Sequence, residues 1–273
     1  MSNVSIEEFR EIIWQYYHDH GRSMPWRDNP SPYAVVMSEF MLQQTQVARV
    51  TEKFVQFVDT WPDWARLAAA PQIEVVAAWK GLGYNRRALW LHGVAQRVTV
   101  DFGGMLPDSR DILESFRGIG PNTAGAIMAY AFNAPVVFVE TNIRRVFIHH
   151  FMGDRDEIHD RELIPFIEDS IDREHPREWY WALMDYGSFL ATQLTNPNRR
   201  SKHHTVQSRF EGSRRQLRGK VLEILLRADM TLDEIAEGIQ LFKRHEIQVV
   251  LNELTSEGFL AMTGSRYTMN TLQ

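Results

Sequence analysis

Cysteine is absent from all 273 residues. That excludes a disulfide, a thiolate nucleophile, a cysteine-ligated zinc and a cysteine-held iron–sulfur cluster. Runs of about 18 apolar residues are also missing, and the start, MSNVSIEEFREIIWQYY, is amphipathic and acidic rather than basic and then apolar. No membrane partner is expected, and a cytoplasmic location is. Low-complexity tracts and internal repeats do not occur, which removes fibrous and solenoid architectures. An excess of positive charge is lacking too. The net charge is −5, which argues against indiscriminate binding to nucleic acid. What remains, 44% hydrophobic and 24% charged residues over this length, suits a globular protein with two domains.

The charge average hides an uneven distribution. Ten acidic residues face four basic ones between Asp154 and Glu178, whereas Arg199 to Lys220 holds eight lysines and arginines against Glu211 alone. The second run fits either a solvated face or a patch that tracks phosphates.

The stretch Asp111 to Asn142, DILESFRGIGPNTAGAIMAYAFNAPVVFVETN, organises the chain. Ile112, Leu113 and Phe116 space out a helical face, and Gly118-Ile119-Gly120 breaks it with two residues free to take positive φ. Pro121 suits a first helical position, so the segment reads as helix, glycine hairpin, helix. A glycine turn feeding a helix N-terminus offers backbone N–H groups to one phosphate. A plain αα-turn reads the same way, and the Gly-x-Gly alone does not separate them.

Earlier in the chain, Ser5 with Glu8 forms a capping-box pattern that opens a first helix to Tyr17. A proline-rich loop then delivers Trp26 and Arg27. One or two helices over Tyr33 to Phe57 carry Glu39, Gln43 and Gln44, with Glu39 and Gln43 one turn apart on one face. Glu39 sits in an apolar run, VVMSEFMLQ, and burying it is costly unless it is partnered or used. Gly81-Leu82-Gly83 makes a second glycine turn. It presents Tyr84 beside Arg86 and Arg87, an arrangement suited to base stacking and phosphate neutralisation or, equally, to buried aromatic packing. Glu140 precedes a helix from Thr141 to Phe151, where the N-terminal dipole favours its anionic form. Asp185 lies inside another helix, Trp179 to Thr192. The last sixty or so residues give three helices and a small hairpin, the pattern of a winged helix.

These motifs in this order resemble the helix-hairpin-helix DNA glycosylases, and within them the adenine (MutY-like) branch. SEFMLQQTQV at Ser38 to Val47, GLGY at Gly81 to Tyr84, GIGPNTAGAI at Gly118 to Ile127 and ALMDYG at Ala182 to Gly187 carry the likeness. The resemblance implies a mainly α, two-lobed glycosylase fold over residues 1–205 with reactive groups in the cleft, followed by a small winged-helix-like domain over 206–273. It also implies a monofunctional DNA glycosylase of base excision repair, associated with the nucleoid and acting as a monomer. Its partner would be double-stranded DNA with a mismatched or damaged base, from which a nucleotide is flipped out. Adenine opposite 8-oxoguanine or guanine is the expected substrate. A thymine or uracil glycosylase at mismatches with guanine, and a non-catalytic DNA-binding protein, are the alternatives.

Position by position, Glu39 matches the family's acid and Glu140 its electrostatic stabiliser, the division of labour that hydrolysis of an N-glycosidic bond requires. Trp26, Arg27, Leu42, Gln43, Asn122 and Asp185 match the base pocket. Gln44 and Tyr84 would wedge the duplex. Gly118, Gly120 and Thr123 would hold a phosphate, and Arg199, Arg200 and Lys202 would meet DNA. The chain departs from the family in four places. Glu140 stands where Asp is usual, Asn122 replaces the lysine of the bifunctional branch, and the four cluster cysteines are missing between Ala191 and about His204. In addition, the domain that inspects 8-oxoguanine gives way to the winged-helix-like tail. No cofactor, no metal and no Schiff-base chemistry are therefore expected.

Overall fold

The computed structural model describes residues 4–206 and 209–270. It is mainly helical and divides into two compact units, Met1–Glu39 with Leu106–Val206, and Phe40–Met105 with Gln207–Gln273. The helix Pro32–Leu42 carries the chain from the first unit into the second.

The first unit begins at the helix Ile6–His20. Ser5 and Glu8 close the capping box in both directions. Phe9 and Ile13, one turn apart, are fully buried, and the Phe9 ring meets Phe147, Phe151 and Trp179. The helices Arg110–Glu114 and Pro121–Phe132 flank the glycine hairpin. Only Gly118 takes the left-handed conformation, with φ +93°. Gly120 is extended at φ −93°, ψ 177° and serves as the N-cap, so the expectation of two positive-φ glycines holds for one.

After Asn133, which ends the second hairpin helix in a left-handed cap, the chain runs extended to Glu140. Side chains satisfy its backbone: Tyr180 Oη donates to Val136 O (2.6 Å), Arg110 Nη1 to Val137 O (3.3 Å), and Val139 N donates to Asn122 Oδ1 (3.3 Å). Two glycines let helices press on this run. A Cβ at Gly125 would lie 2.6 Å from the Phe138 Cβ, and one at Gly187 2.6 Å from Asn142 O. The glycines of the TAGAI and DYG motifs thus fix the approach to Glu140 and the first turn beyond it.

The second unit holds the helices Val47–Thr60, Trp64–Ala69, Gln72–Ala78 and Arg86–Asp101. It also takes in the C-terminal module, in which Arg214–Leu225, Leu232–Gly238 and Arg244–Ser256 pack around Leu217, Val221, Ile235, Ile247 and Leu251. A three-stranded antiparallel sheet closes the module, with Arg266–Met269 central between Leu260–Thr263 and the two residues Met230–Thr231. That last strand is too short to leave a sequence pattern. The tail is fastened to the earlier helices by Lys80 to Glu223 (2.8 Å), Arg86 to Glu257, and Gln72 Nε2 to Gly258 O (2.9 Å).

Candidate active site

Glu140 is the N-cap of the helix Thr141–Phe151. Its Oε1 accepts from Asn142 N (2.5 Å) and Ile143 N (2.9 Å), which satisfies two donors that a helix start leaves open. Both bonds fall on one oxygen. The side chain, one methylene longer than Asp, folds back onto its own helix and leaves Oε2 uncommitted. The first turn is itself held: Arg145 donates Nη1 to Asn142 Oδ1 (2.6 Å) and to Gly187 O (2.7 Å), and Arg144 binds Asp160 through two bonds of 2.6 Å. Burial pushes the Glu140 carboxyl above its ordinary value, and the amides of Ile143 and Asn142 and the charges of Arg144 and Arg145 offset only part of that rise, so the anion that the helix start was expected to favour is opposed by burial.

Glu39 lies near the end of the helix Pro32–Leu42, among the buried Val35, Val36 and Ser38, and is itself half-buried. Burial and then the charge of Glu140 drive its carboxyl up to about 8. Both influences act in one direction and no cation offsets them. Two carboxyls of one type are thereby treated differently: burial raises both, but only Glu140 has backbone amides and arginines that favour its anion. Tyr130, buried on the second hairpin helix, senses both charges, and burial with those charges lifts its phenol well above the usual range. Its ring stacks on Trp181 at 6.3 Å. Sequence reading passed over Tyr130; its place on the AYAF end of the hairpin helix was the only signal available.

Asp185 is 2% exposed and saturated. It accepts from Arg22 N and Nε (2.8 Å each) and from Arg27 Nη1 and Nη2 (2.9 Å each). Its charge is thereby taken up in holding Arg22 and Arg27, and the Arg27 guanidinium lies 5.4 Å over the Trp181 ring. Arg22, the second cation on Asp185, escaped the sequence reading, since nothing in a loop arginine marks its partner. Trp26 is buried in the short helix Pro25–Asp28. Asn122 is exposed at the head of the hairpin helix and tied to the residue before Glu140, and Thr123 follows it at the same helix start. At Gly120 a Cβ would meet nothing within 4 Å, so the turn leaves open space against its backbone.

The remaining predicted residues belong to the second unit or to the basic run. Leu42 closes the helix Pro32–Leu42, and Gln43 and Gln44 follow it in a turn rather than on the helix, with Gln44 at φ +55°. The expected stacking of Glu39 and Gln43 on one helical face is therefore wrong, because the helix stops one residue short of Gln43. Tyr84 is also left-handed, at φ +47°. Of the two readings left open for the turn at Tyr84, Arg87 follows the packed one: it is buried. It donates to the carbonyls of Phe40 (2.6 Å), Met41 (3.0 Å), Leu82 and Gly83 (2.9 Å each) and to Thr45 Oγ1 (3.1 Å), bracing the two turns that hold Gln44 and Tyr84. Of the basic run, Arg199 is exposed, Arg200 donates to Ile148 O (3.3 Å) and to Gly153 O, and Lys202 pairs with Glu157 at 3.0 Å.

The segment where the resemblance places iron–sulfur ligands offers no thiolate, and among the described residues no group of three or more His, Asp or Glu is arranged to hold a metal ion. The residues do not fit a cluster. Hydrogen bonds close the segment instead: Asn196 Oδ1 accepts from Asn198 N and Arg145 Nε (3.1 Å each), Asn198 Nδ2 donates to Thr141 O (2.8 Å), and Ile158 bridges to Ser201. The Arg145 and Asn198 bonds tie this segment to the same helix turn that Glu140 caps.

Residues 37–165 match a family model described as the HhH-GPD superfamily of base excision DNA repair proteins. An adenine DNA glycosylase of Mycobacterium tuberculosis is 32% identical, covering 82% of this chain and 80% of its own. One of Mycolicibacterium smegmatis is 30% identical over 96% of this chain and 97% of its own. Among solved structures, a thermostable thymine-DNA glycosylase aligns with a TM-score of 0.61 over 68% of this chain and 87% of that one, at 23% identity. A non-covalent endonuclease III–DNA complex aligns at 0.57 over the same shares and 17% identity. At such identities the structural matches speak to the fold alone.

Proposed function

The chain belongs to the HhH-GPD superfamily of base excision DNA repair proteins, and from that premise we propose that it removes adenine from DNA where adenine lies opposite 8-oxoguanine or guanine. It is a DNA N-glycosylase, and the two curated relatives described above are adenine glycosylases. The observation that carries the mechanism is the unequal treatment of two buried carboxyls: Glu140 has amides and arginines that favour its anion, and Glu39 has none. Glu39, at about 8, still holds its proton at neutral pH and delivers it to the departing base. Glu140 turns Oε2 toward the positive charge that grows on the sugar, while Oε1 stays fixed on two backbone amides. Water then adds at the sugar carbon, and the carboxylate left on Glu39 takes its proton, which restores the starting state. Asn122 supplies no amine, so the strand is left intact at an abasic site.

In this reading the enzyme works without a cluster, as a monomer on duplex DNA in the cytoplasm. Base release from a panel of duplexes, each with one defined mismatch, tests it. Adenine should leave from pairs with 8-oxoguanine and guanine, and thymine and uracil opposite guanine should remain. Faster release of thymine or uracil would overturn the substrate, and tight binding with no release from any duplex would reduce the protein to a binder.

A further inference from the structure

Within the second unit a groove of about 1170 Å³ opens between the C-terminal helix Arg214–Leu225 and the two turns at residues 43–46 and 80–85. Eight lysines and arginines line it against Glu223 and Glu253, in a chain whose net charge is −5. Its wall includes Gln44 and Tyr84, two of the four non-glycine residues with positive φ among the described ones. Each such residue carries strain that persists only where the surroundings over-determine it. Here they do. Thr45 Oγ1 donates to Leu82 O (3.1 Å), Trp79 Nε1 to Gly83 O (3.1 Å), and the buried Arg87 ties both turns together. The tail adds the final contact. Arg215 donates Nη1 to Tyr84 Oη (2.9 Å), and its guanidinium lies 5.3 Å from the centre of the Tyr84 ring.

The resemblance already sets Gln44 and Tyr84 against the duplex, so a strand of it is the occupant this groove expects; we propose that Arg215 makes the C-terminal module part of that DNA-reading surface by joining Tyr84 in a stacking platform. The proposal rests on the glycosylase reading only in naming duplex DNA as the occupant. The chemistry favours that occupant. Arg87 is turned inward, and Lys80, Arg86, Arg214 and Arg218 pair with Glu223, Glu253 and Glu257, but Arg49, Arg215 and Lys220 add further positive charge to the lining, which suits a phosphate backbone. A ring beside planar guanidinium groups, with Arg87 5.7 Å and Arg215 5.3 Å from its centre, suits stacking with a base. Tyr84 and Arg215 are half-buried, so they are fixed by their neighbours yet reachable. The Arg215 contact also gives the ion pairs that fasten the tail a purpose beyond bracing. Lys80 to Glu223 and Arg218 to Glu257 hold the C-terminal helix where Arg215 meets the ring.

Full-length protein and its Arg215→Ala, Arg215→Lys and Tyr84→Phe variants would be titrated with a fluorescein-labelled duplex carrying one adenine:8-oxoguanine pair, at several salt concentrations. Thermal unfolding of each variant would be followed alongside. Arg215→Ala should weaken binding by roughly five- to a hundredfold, the range for loss of a stacking contact, and should lower the salt slope by about one. Arg215→Lys keeps the charge, so it should keep the slope and still lose affinity. Tyr84→Phe removes only the hydroxyl and should cost less than either. Wild-type affinity and slope in Arg215→Ala would overturn the proposal. So would a loss that Arg215→Lys fully restores, because the arginine would then be a point charge only. If Arg215→Ala melts early, the comparison of Arg215→Lys with wild type decides alone. Binding does not require base release. A wild-type protein that binds through Arg215 but releases nothing would sink the glycosylase reading and leave this one standing.

Discussion

Glu39→Gln separates two consequences of a single buried carboxyl. The amide keeps the shape of the side chain but has no proton to give, so base release should fall about a hundred- to ten-thousandfold while DNA binding persists. The same substitution should change how stability responds to pH. The folded state holds the Glu39 proton up to about 8, whereas the unfolded chain gives it up near the ordinary 4.5. Stability linked to this group is therefore full below about pH 4.5 and is lost as the pH rises through about 8. The slope is about 1.4 kcal/mol per pH unit, and across that window the loss reaches on the order of 5 kcal/mol. Gln at position 39 titrates nowhere in this range. Relative to wild type, the variant should gain stability steadily from pH 5 to about 8 and no further above it, by something on the order of 10 °C in Tm, taking about 2 to 4 °C per kcal/mol for a chain of this size.

Two assays read this. Thermal unfolding of both proteins from pH 5 to 9 gives the stability difference, and single-turnover release from an adenine:8-oxoguanine duplex gives the chemistry. Wild-type release should hold steady toward neutral pH and then fall about tenfold per unit above pH 8, as the acid ionises. Parallel unfolding curves for the two proteins would refute the burial of Glu39. Release that stays level to pH 9.5, or that survives in the glutamine variant within a few-fold, would remove Glu39 as the acid.

Glu140→Gln should lower single-turnover release by several hundredfold, since groups that face developing charge contribute roughly 3 to 4 kcal/mol; Glu140→Asn, which also caps a helix, should fold normally and stay inactive, and an active Asn variant would leave Glu140 only a cap. Asp185→Asn keeps the shape but faces two arginines without a charge. It should cost about 3 to 5 kcal/mol, seen as a Tm drop on the order of 10 °C, and a shift of under 2 °C would mean that the Arg22 and Arg27 contacts are idle. Borohydride added during turnover should trap no protein–DNA adduct, as no lysine stands at Asn122, and a strong gel-shifted band would point to an amine elsewhere.

The helices and the glycine hairpin were legible in the sequence because each rests on local rules, whereas the roles of Glu39 and Glu140 came only from the resemblance. Ser5 with Glu8, Pro121 after Gly120 and Glu140 before Thr141 are capping signals within one turn, and all three act as written. The apolar run around Glu39 announced an uncomfortable carboxyl, and its elevated pKa follows from burial. What could not be read depends on partners distant in the chain. Arg87 looks like any helix-start arginine, and only the carbonyls of Phe40 and Met41, more than forty residues earlier, turn it inward. Asp185 meets Arg22 from over 160 residues away. Gln44 failed for a local reason of a different kind: no glycine, proline or asparagine marks its left-handed turn, so the helical periodicity of SEFMLQQ seemed to run on past Leu42.

Position 140 joins these lessons. A longer acid in place of Asp threatened the chemistry, since an extra methylene displaces a carboxylate by more than an ångström if the chain extends. It does not extend, because two amides of its own helix draw Oε1 back. The helix is in turn pinned by Arg145, which reaches Gly187 O and Asn196 Oδ1, and by Asn198, which reaches Thr141 O. Those asparagines lie in the segment that has no cysteine. Hydrogen bonds from the cysteine-free loop thus hold the very turn on which Glu140 folds back. Loosening the loop with Asn198→Ala should then lower base release through Glu140 before it alters DNA binding.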